Sequence, residues 1–257
     1  MFPAERRRLI LELVLRDGAM SLRELASTAR TSEVTVRRDL RQLEGEGLLV
    51  RRHGGAMAPT PDPHEPTYSE KSQVAGREKA AIAAAAAELV TEGDAVLIGA
   101  GTTTQAFARR LVRLADLTVV TNSILVAQML ANAPGIEVTI TGGSLRGSTF
   151  ALIGPAAEKS LATINATKAF LSGNGLSAER GLSTPNATVA SMDRAMAAAA
   201  RQVIVLADHT KVGIDAMVQT VPVEGISTLV TDAETDRAQL DALRAAGVDV
   251  SVAVVGA

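Results

Sequence analysis

SLRELASTARTSEVTVRRDLRQLEGEGLLVRRHGG, residues 21–55, holds two short helical patterns about a tight break, then an arginine-rich strand and a double glycine. Ser21 with Glu24 three residues on is a capping box: each side chain satisfies a backbone N–H left open at a helix start. A first short helix is therefore predicted to begin near Ser21, with Leu22, Leu25, Ala26 and Ala29 on one face. Arg30-Thr31-Ser32 interrupts it, and Ser32 is placed to cap a second helix beginning at Glu33. This spacing is that of a helix-turn-helix.

In the second helix Val36, Leu40 and Leu43 recur at i, i+4 and i+7 and turn inward. The opposite face is left to Thr35, Arg38, Arg41 and Gln42, with Val34 and Arg37 along its edges. Those side chains suit phosphates and base edges in a groove. Taken alone, a basic face also fits a solvated helix surface; the capped pair, the short break and the next strand favour the groove. That strand, residues 48–53, forms a wing whose Arg51, Arg52 and His53 reach toward phosphates. The predicted DNA contacts are Ser32, Thr35, Arg37, Arg38, Arg41, Arg51, Arg52 and His53.

The chain also divides by charge. Residues 1–53 hold 11 Arg and no Lys against 8 acidic residues, net +3, and the remainder is net −5. A small basic module on an acidic body fits a DNA reader joined to something that does not touch DNA. Residues 56–70, AMAPTPDPHEPTYSE, carry four prolines, each removing an amide donor and biasing the preceding residue toward extended backbone. The expected organisation is a winged helix-turn-helix over residues 1–57, a proline-rich linker over 58–70 and an α/β domain over 71–257.

With no cysteine there is neither a disulfide framework nor a thiolate metal site. His53, His64 and His209 are dispersed, so no metal and no other cofactor is expected. Glu12, Arg16 and Asp17 interrupt the apolar run near the start, which reads as an amphipathic helix rather than a signal peptide. No run is long enough to span a membrane, and a cytoplasmic location is expected.

Past residue 70, short apolar runs at 95–98, 117–120, 138–140, 169–171, 203–206, 228–230 and 248–254 alternate with helical patterns, including 104–114, 124–133, 189–200 and 235–246. Apolar strands alternating with helices imply a Rossmann-like, largely parallel sheet covered on both faces, with ligands beyond the strands' carboxyl ends. There lie Gly99-Ala100-Gly101-Thr102-Thr103-Thr104, Thr121-Asn122-Ser123, Ser172-Gly173-Asn174-Gly175 and Asp208-His209-Thr210-Lys211. A glycine turn entering a helix with threonine hydroxyls is a ready anion site, though it is also ordinary packing punctuation. As a dinucleotide fingerprint it fails, because Thr104 replaces the third glycine and no acid follows Val120. Asn122 and Asp208 equally fit as caps of helices or turns.

SLRELA, TSEVTVRRDLRQLE and RRHGGA resemble the DNA-binding domain of DeoR-type bacterial transcriptional repressors, and REKAAIA (77–83), GTT (101–103), VVTNS (119–123), TGG (141–143) and ADHTK (207–211) extend the likeness along most of the chain. The resemblance implies a sensor domain similar to ribose-phosphate isomerases, with a sugar phosphate as inducer held by the GTT loop. Carried over by residue, the implied effector site is Gly101, Thr102, Thr103, Thr121, Asn122, Ser123, Asn174, Gly175, Asp208 and Lys211, with Thr210 in the same motif. It also implies double-stranded operator DNA as partner, and a homo-oligomer, dimer or tetramer. Gly99 and Ser177 stand where the family usually has aspartates, and Val189 and Asp193 where it usually has glutamate and lysine; all four are expected near the pocket.

The function this implies is a repressor of carbohydrate-metabolism genes, released by a small phosphorylated metabolite. One alternative is a DNA-binding protein whose sensor has decayed into an oligomerisation scaffold. The other, an active sugar-phosphate isomerase with a DNA-binding appendage, needs a base beside the carbonyl. In the isomerases that this fold resembles, carboxylates stand near the segment corresponding to residues 172–177; here SGNGLS offers none, so no catalytic residue is assigned and no enzyme is expected.

Overall fold

Seven of the described strands form one parallel sheet. The computed structural model describes residues 3–17, 19–45, 49–52, 54–57 and 66–255, divided into two units, residues 1–64 and 65–257.

The first unit holds α1 (Pro3–Asp17), β1 (Ala19–Ser21), α2 (Leu22–Thr28), α3 (Glu33–Gly45), β2 (Val50–Arg52) and β3 (Gly55–Met57). Ile10, Val14, Leu25, Ala29, Val36, Leu40 and Leu43 meet in one core, so the stripes expected of α2 and α3 do face inward. β2 and β3 pair antiparallel through Gly54, whose φ of +90° a side chain would disfavour, and β1 adds to the other side of β3. That is the wing; of the strand read at residues 48–53, Val50–Arg52 is strand and Leu49 is not, while residues 46–48 and 53 lie outside the described ones.

The second unit opens with α4 (Tyr68–Gln73) and α5 (Gly76–Ala87). Helix α4 corrects the expectation of a linker to residue 70. Thr67 and Glu70 form a second capping box, Thr67 N–H donating to Glu70 Oε2 at 2.7 Å and Glu70 N–H to Thr67 Oγ1 at 3.3 Å. The rest of that linker, residues 58–65, lies outside the described residues.

There follow β4 (Ala95–Ile98), α6 (Thr102–Leu111), β5 (Leu117–Thr121), α7 (Ile124–Leu130), β6 (Ile136–Ile140), the hairpin β7 (Ser144–Arg146) and β8 (Ala151–Ile153), and α8 (Pro155–Leu161). Next come β9 (Ala166–Leu171), β10 (Gly175–Ser177), β11 (Gly181–Thr184), α9 (Ala187–Ala198), β12 (Ala200–Leu206), β13 (Val218–Val221), β14 (Thr228–Asp232), α10 (Arg237–Ala245) and β15 (Asp249–Ala253).

The central sheet strands are mostly apolar because both faces are covered. On β4, Val96 and Ile98 join a core with Ile82, Phe107, Val126 and Phe170, while Leu97 points oppositely toward Leu171, Met192, Val205 and Leu243. Residues of α5, α6 and α7 enter the first core and those of α8, α9 and α10 the second. From β4 the chain winds outward through β5 and β6, then returns to β9 on the other side of β4 and winds through β12, β14 and β15. The carboxyl ends of β4 and β9 thus flank the point where winding reverses, the place where open α/β sheets leave a crevice. A small antiparallel sheet, β10-β11-β13, stands beside it. Among the described residues no helix is long and apolar enough to cross a membrane, and no group of three or more His, Asp or Glu is placed to hold a metal ion.

Candidate functional site

In the first unit, the break between α2 and α3 is made by Arg30 at φ +49° and by Thr31 N–H donating to Ala26 O at 3.0 Å. Ser32 Oγ accepts from Thr35 N–H at 3.2 Å and lies 2.9 Å from Thr35 Oγ1, so these two hydroxyls close the start of α3. Outward from that start, Val34 is 74% exposed, and Arg37, Arg38 and Arg41 are exposed as well. Arg37 lies 3.9 Å from Glu33, a loose pair one turn apart. Arg38 and Arg41 pair with no described residue, which leaves both guanidinium groups available to phosphates or bases. Arg51 and Arg52 are placed on β2 by their backbone; their side chains, and His53 altogether, lie outside the described residues.

Sequence periodicity missed one residue here. Asp39 sits on the inward face of α3 beside Val36 and Leu40, 3% exposed, and accepts from Arg6 Nε at 2.5 Å and Arg6 Nη2 at 3.3 Å. The bond holds the Arg6 guanidinium above its ordinary pKa. A carboxylate on an apolar stripe was the available signal, since such a group is buried only when paired.

In the second unit, a cavity opens at the ends of β4 and β9. It is lined by Ala100, Gly101, Thr102 and Thr103, by Asn122, Ser172, Asn174, Thr184, Asp208 and Lys211, and, among others, by Tyr68, Lys71, Lys79, Val189 and Asp193. Thr102 and Thr103 are the first turn of α6 rather than a loop before it, and their cap residue Gly101 supplies no side-chain hydrogen bond to that turn. The first-turn amides therefore keep their capacity for an anion. A Cβ on Gly101 would come within 3.1 Å of Thr104 Oγ1 and 3.4 Å of Ser172 Cβ, so the glycine keeps this stretch of the lining open.

Seven of the residues read from sequence line this cavity: Gly101, Thr102, Thr103, Asn122, Asn174, Asp208 and Lys211. Thr121, Ser123, Gly175 and Thr210 do not. Thr121 Oγ1 donates to Ile98 O at 2.6 Å inside the sheet, and Ser123 Oγ caps α7 through Val126 N–H at 3.2 Å. Gly175 pairs with Ser183 between β10 and β11, and Thr210 Oγ1 donates to Asp208 Oδ1 at 2.5 Å. Of the four departures from the family pattern, Val189 and Asp193 face the cavity from α9. Gly99 and Ser177 do not: a Cβ on Gly99 would meet Leu171 at 3.1 Å, and Ser177 Oγ donates to Asp215 Oδ1 at 2.7 Å.

The capping role weighed for Asn122 and Asp208 also holds. Asn122 Oδ1 accepts from Ala100 N–H at 2.9 Å and its Nδ2 donates to Leu152 O at 3.2 Å, so it ties the glycine turn to β8. Asp208 Oδ1 accepts from Thr210 N–H at 3.1 Å, which shapes the turn that brings Lys211 to the cavity.

Lys79 was not placed in the site by sequence. It is 6% exposed, donates to Lys71 O at 2.5 Å and Val74 O at 2.6 Å, and lies 3.8 Å from Asp208 Oδ2. Burial pushes its ammonium below the ordinary lysine value, opposed by Asp208 and assisted by Lys211 and Lys71. Lys79, Ile82, Ala83 and Ala86 form one buried stripe of α5, and the lone charge at its head was the signal. The lining therefore holds three ammonium groups against two carboxylates, with an uncapped helix start between them. This is chemistry for holding an anion that also carries hydroxyls.

Residues 6–62 match the family model described as the DeoR-like helix-turn-helix domain, and residues 75–233 the one described as the DeoR C terminal sensor domain. The chain is 40% identical to the HTH-type transcriptional regulator GlpR of Haloferax volcanii, over 97% of this chain and 98% of that one. It is 33% identical to the HTH-type transcriptional repressor GlcR of Bacillus subtilis, over 98% of this chain and 97% of that one.

Proposed function

The chain belongs to the DeoR family of DNA-binding transcription regulators, and from that premise we propose that it is a repressor of carbohydrate-metabolism genes released by a small phosphorylated metabolite. The observation that carries the ligand class is the uncapped first turn of α6 at Gly101–Thr103, faced by Lys71, Lys79 and Lys211 in one cavity. Backbone amides and ammonium groups together favour a phosphate, and Asp193, Asn174 and Thr184 supply acceptors and donors for hydroxyls beyond it. The effector residues we assign are Gly101, Thr102, Thr103, Asn174, Asp208 and Lys211 from the sequence reading, with Lys71, Lys79 and Asp193 added. The DNA contacts we assign are Val34, Arg37, Arg38 and Arg41 of α3, with Arg51 and Arg52 of the wing.

A single winged module covers a short site, so two modules on a symmetric operator, held together by a homodimer or larger assembly of the second unit, raise affinity through effective concentration. Such a protein acts in the cytoplasm, where its operator is. The experiment is calorimetric titration of inorganic phosphate and a panel of sugar phosphates into the wild type and into Thr102→Ala/Lys211→Ala, alongside operator release. Binding by the wild type, lost in the variant and accompanied by release, is the expected result. Absence of binding by every probe at millimolar concentration would leave the second unit as an assembly scaffold only.

A further inference from the structure

Strand β6 is the outer edge of the large sheet: its neighbour is β5, and among the described residues no strand lies beyond it. Leu117 N–H donates to Gly135 O and Thr141 N–H to Thr121 O, so Gly135 and Thr141, at either end of β6, turn these backbone groups toward β5. Direction alternates from residue to residue in a parallel ladder, so the amides of Glu137 and Thr139 face β5 as well. The N–H and C=O groups of Val138 and Ile140, with the C=O of Ile136, then point outward along an open edge, while Ile136 N–H donates to Ala133 O.

An open row of donors and acceptors templates pairing with another chain, and sheet edges are commonly guarded against it by lysine, proline or a bulge. Ile136-Glu137-Val138-Thr139-Ile140 carries neither lysine nor proline, and its register with β5 runs unbroken over all five residues. Ile140 at its end is 46% exposed, and Glu137 and Thr139 are exposed beside it. A partner strand completes such an edge, and the residues of β6 fit a second copy of themselves.

Antiparallel pairing about a two-fold axis at Val138 lets Val138 N–H donate to Val138 O of the second copy and Ile140 N–H to Ile136 O of the second copy, each in both directions. That register sets Ile136 opposite Ile140, on the face where Ile136 and Val138 pack against the core that holds Val126 and Leu130 of α7, so exposed Ile140 gains an apolar neighbour. On the other face it sets Glu137 opposite Thr139. An axis at Glu137 would instead oppose Glu137 to itself, and one at Thr139 would leave Ile136 beyond the end of the partner strand. Resting on the reading that the second unit assembles, we propose that β6 is its dimer interface, paired with β6 of a second copy about Val138 so that the two large sheets run on as one.

The test is sedimentation velocity of the full chain from nanomolar to micromolar concentration, with circular dichroism to show that each variant folds. Glu137 and Thr139 are exposed, so changes there leave the core alone. Thr139→Glu sets like charges opposite each other, twice by symmetry, and should weaken the assembly. Thr139→Lys sets an ammonium opposite Glu137 and should tighten it by about two- to thirty-fold, the usual worth of a cross-strand ion pair taken twice. Glu137→Lys/Thr139→Glu restores opposite charges and should recover at least the wild-type affinity. A wild-type assembly indifferent to the charge at these positions would remove β6 as the interface and leave assembly through another surface standing, the opposite edge β15 included. A wild type that stays monomeric throughout would remove the assembly reading and the β6 interface together.

Discussion

Lys79 Nζ lies 3.8 Å from Asp208 Oδ2 while its hydrogen bonds go to the carbonyls of Lys71 and Val74, so the most buried cation of the cavity is only partly neutralised. Burial comes first among the causes that lower its pKa below 10.5, and the Asp208 carboxylate only partly opposes it. The free cavity therefore loses a positive charge at lower pH than an exposed lysine would. Phosphate affinity should begin to fall at a pH below the ordinary lysine value of 10.5, and Lys79→Arg, which stays protonated, should carry the affinity to higher pH. The sign for folding is opposite: between the lowered value and 10.5 the unfolded chain holds more protons, so this group's contribution to stability grows with pH. Calorimetric titrations across the alkaline range would show both; an unchanged affinity in the wild type would put Lys79 outside the anion site.

Asp94 governs the acid side. Burial alone would raise its carboxyl, but the Lys168 ammonium at 2.6 Å, the Thr91 amide, the Thr167 hydroxyl and the Thr91 hydroxyl outweigh that and hold it at about 2. A lowered carboxylate contributes stability that is complete above its unfolded value of 3.8 and is lost as pH falls toward about 2. The contribution is about 2 kcal/mol, from roughly 1.4 kcal/mol per pH unit. Asp94→Asn should lower the thermal midpoint at neutral pH and flatten its decline between about pH 5 and pH 1, a range set by about one unit either side of the two values. A variant that melts with the wild-type pH profile would contradict this.

On α3, Arg38 and Val34 should separate base reading from phosphate holding. If Arg38 contacts a guanine edge, Arg38→Ala should cost about 1–3 kcal/mol and relax preference at one operator position. Val34, the most exposed large apolar side chain of the helix, is suited to a thymine methyl, and Val34→Thr should change sequence preference with little change in salt dependence. Arg41→Ala should instead lower the salt slope by about one unit across all sequences. Anisotropy titrations at several salt concentrations distinguish these outcomes. Identical slopes and preferences in all three variants would mean that α3 does not enter the groove.

How far the sequence led depended on how each element is buried. Each strand of the large sheet contains an apolar run, most clearly where burial is greatest: β4 at Ala95–Ile98 matches to the residue, whereas the edge strands β6 and β15 carry exposed Glu137 and Asp249. The sheet β10-β11-β13 was not legible, since its strands are three or four residues long and Leu176, Leu182 and Val221 enter the core singly between glycines and polar residues. Helix α4 hid behind the prolines, although Thr67 and Glu70 have the spacing of Ser21 and Glu24. Asp39 and Lys79 escaped for a shared reason. Each sits on an apolar helical stripe, where periodicity counts it as noise, and only the partner across the fold shows why burial is tolerated.

The pair formed by Arg6 and Asp39 yields the last prediction. It joins α1 to the middle of α3 with side chains 14% and 4% exposed, so removing one partner leaves a charge stranded in the core of the first unit. Asp39→Ala should destabilise that unit by about 3 kcal/mol, the low end for breaking a buried pair, since Arg6 keeps some contact with water. Arg7 Nη1, 4.0 Å from Asp39 Oδ1, cannot compensate, because it loses the same carboxylate. Because Arg38 immediately precedes Asp39 on the helix, its placement depends on the same anchor, and operator affinity should fall with stability. The double variant Arg6→Met/Asp39→Leu replaces the pair by apolar groups of similar length and should recover most of the stability, as such exchanges often do. Thermal unfolding followed by circular dichroism, with operator binding on the same samples, measures both. Equal loss in the single and double variants would show that the site is held by shape at Asp39 rather than by the ion pair.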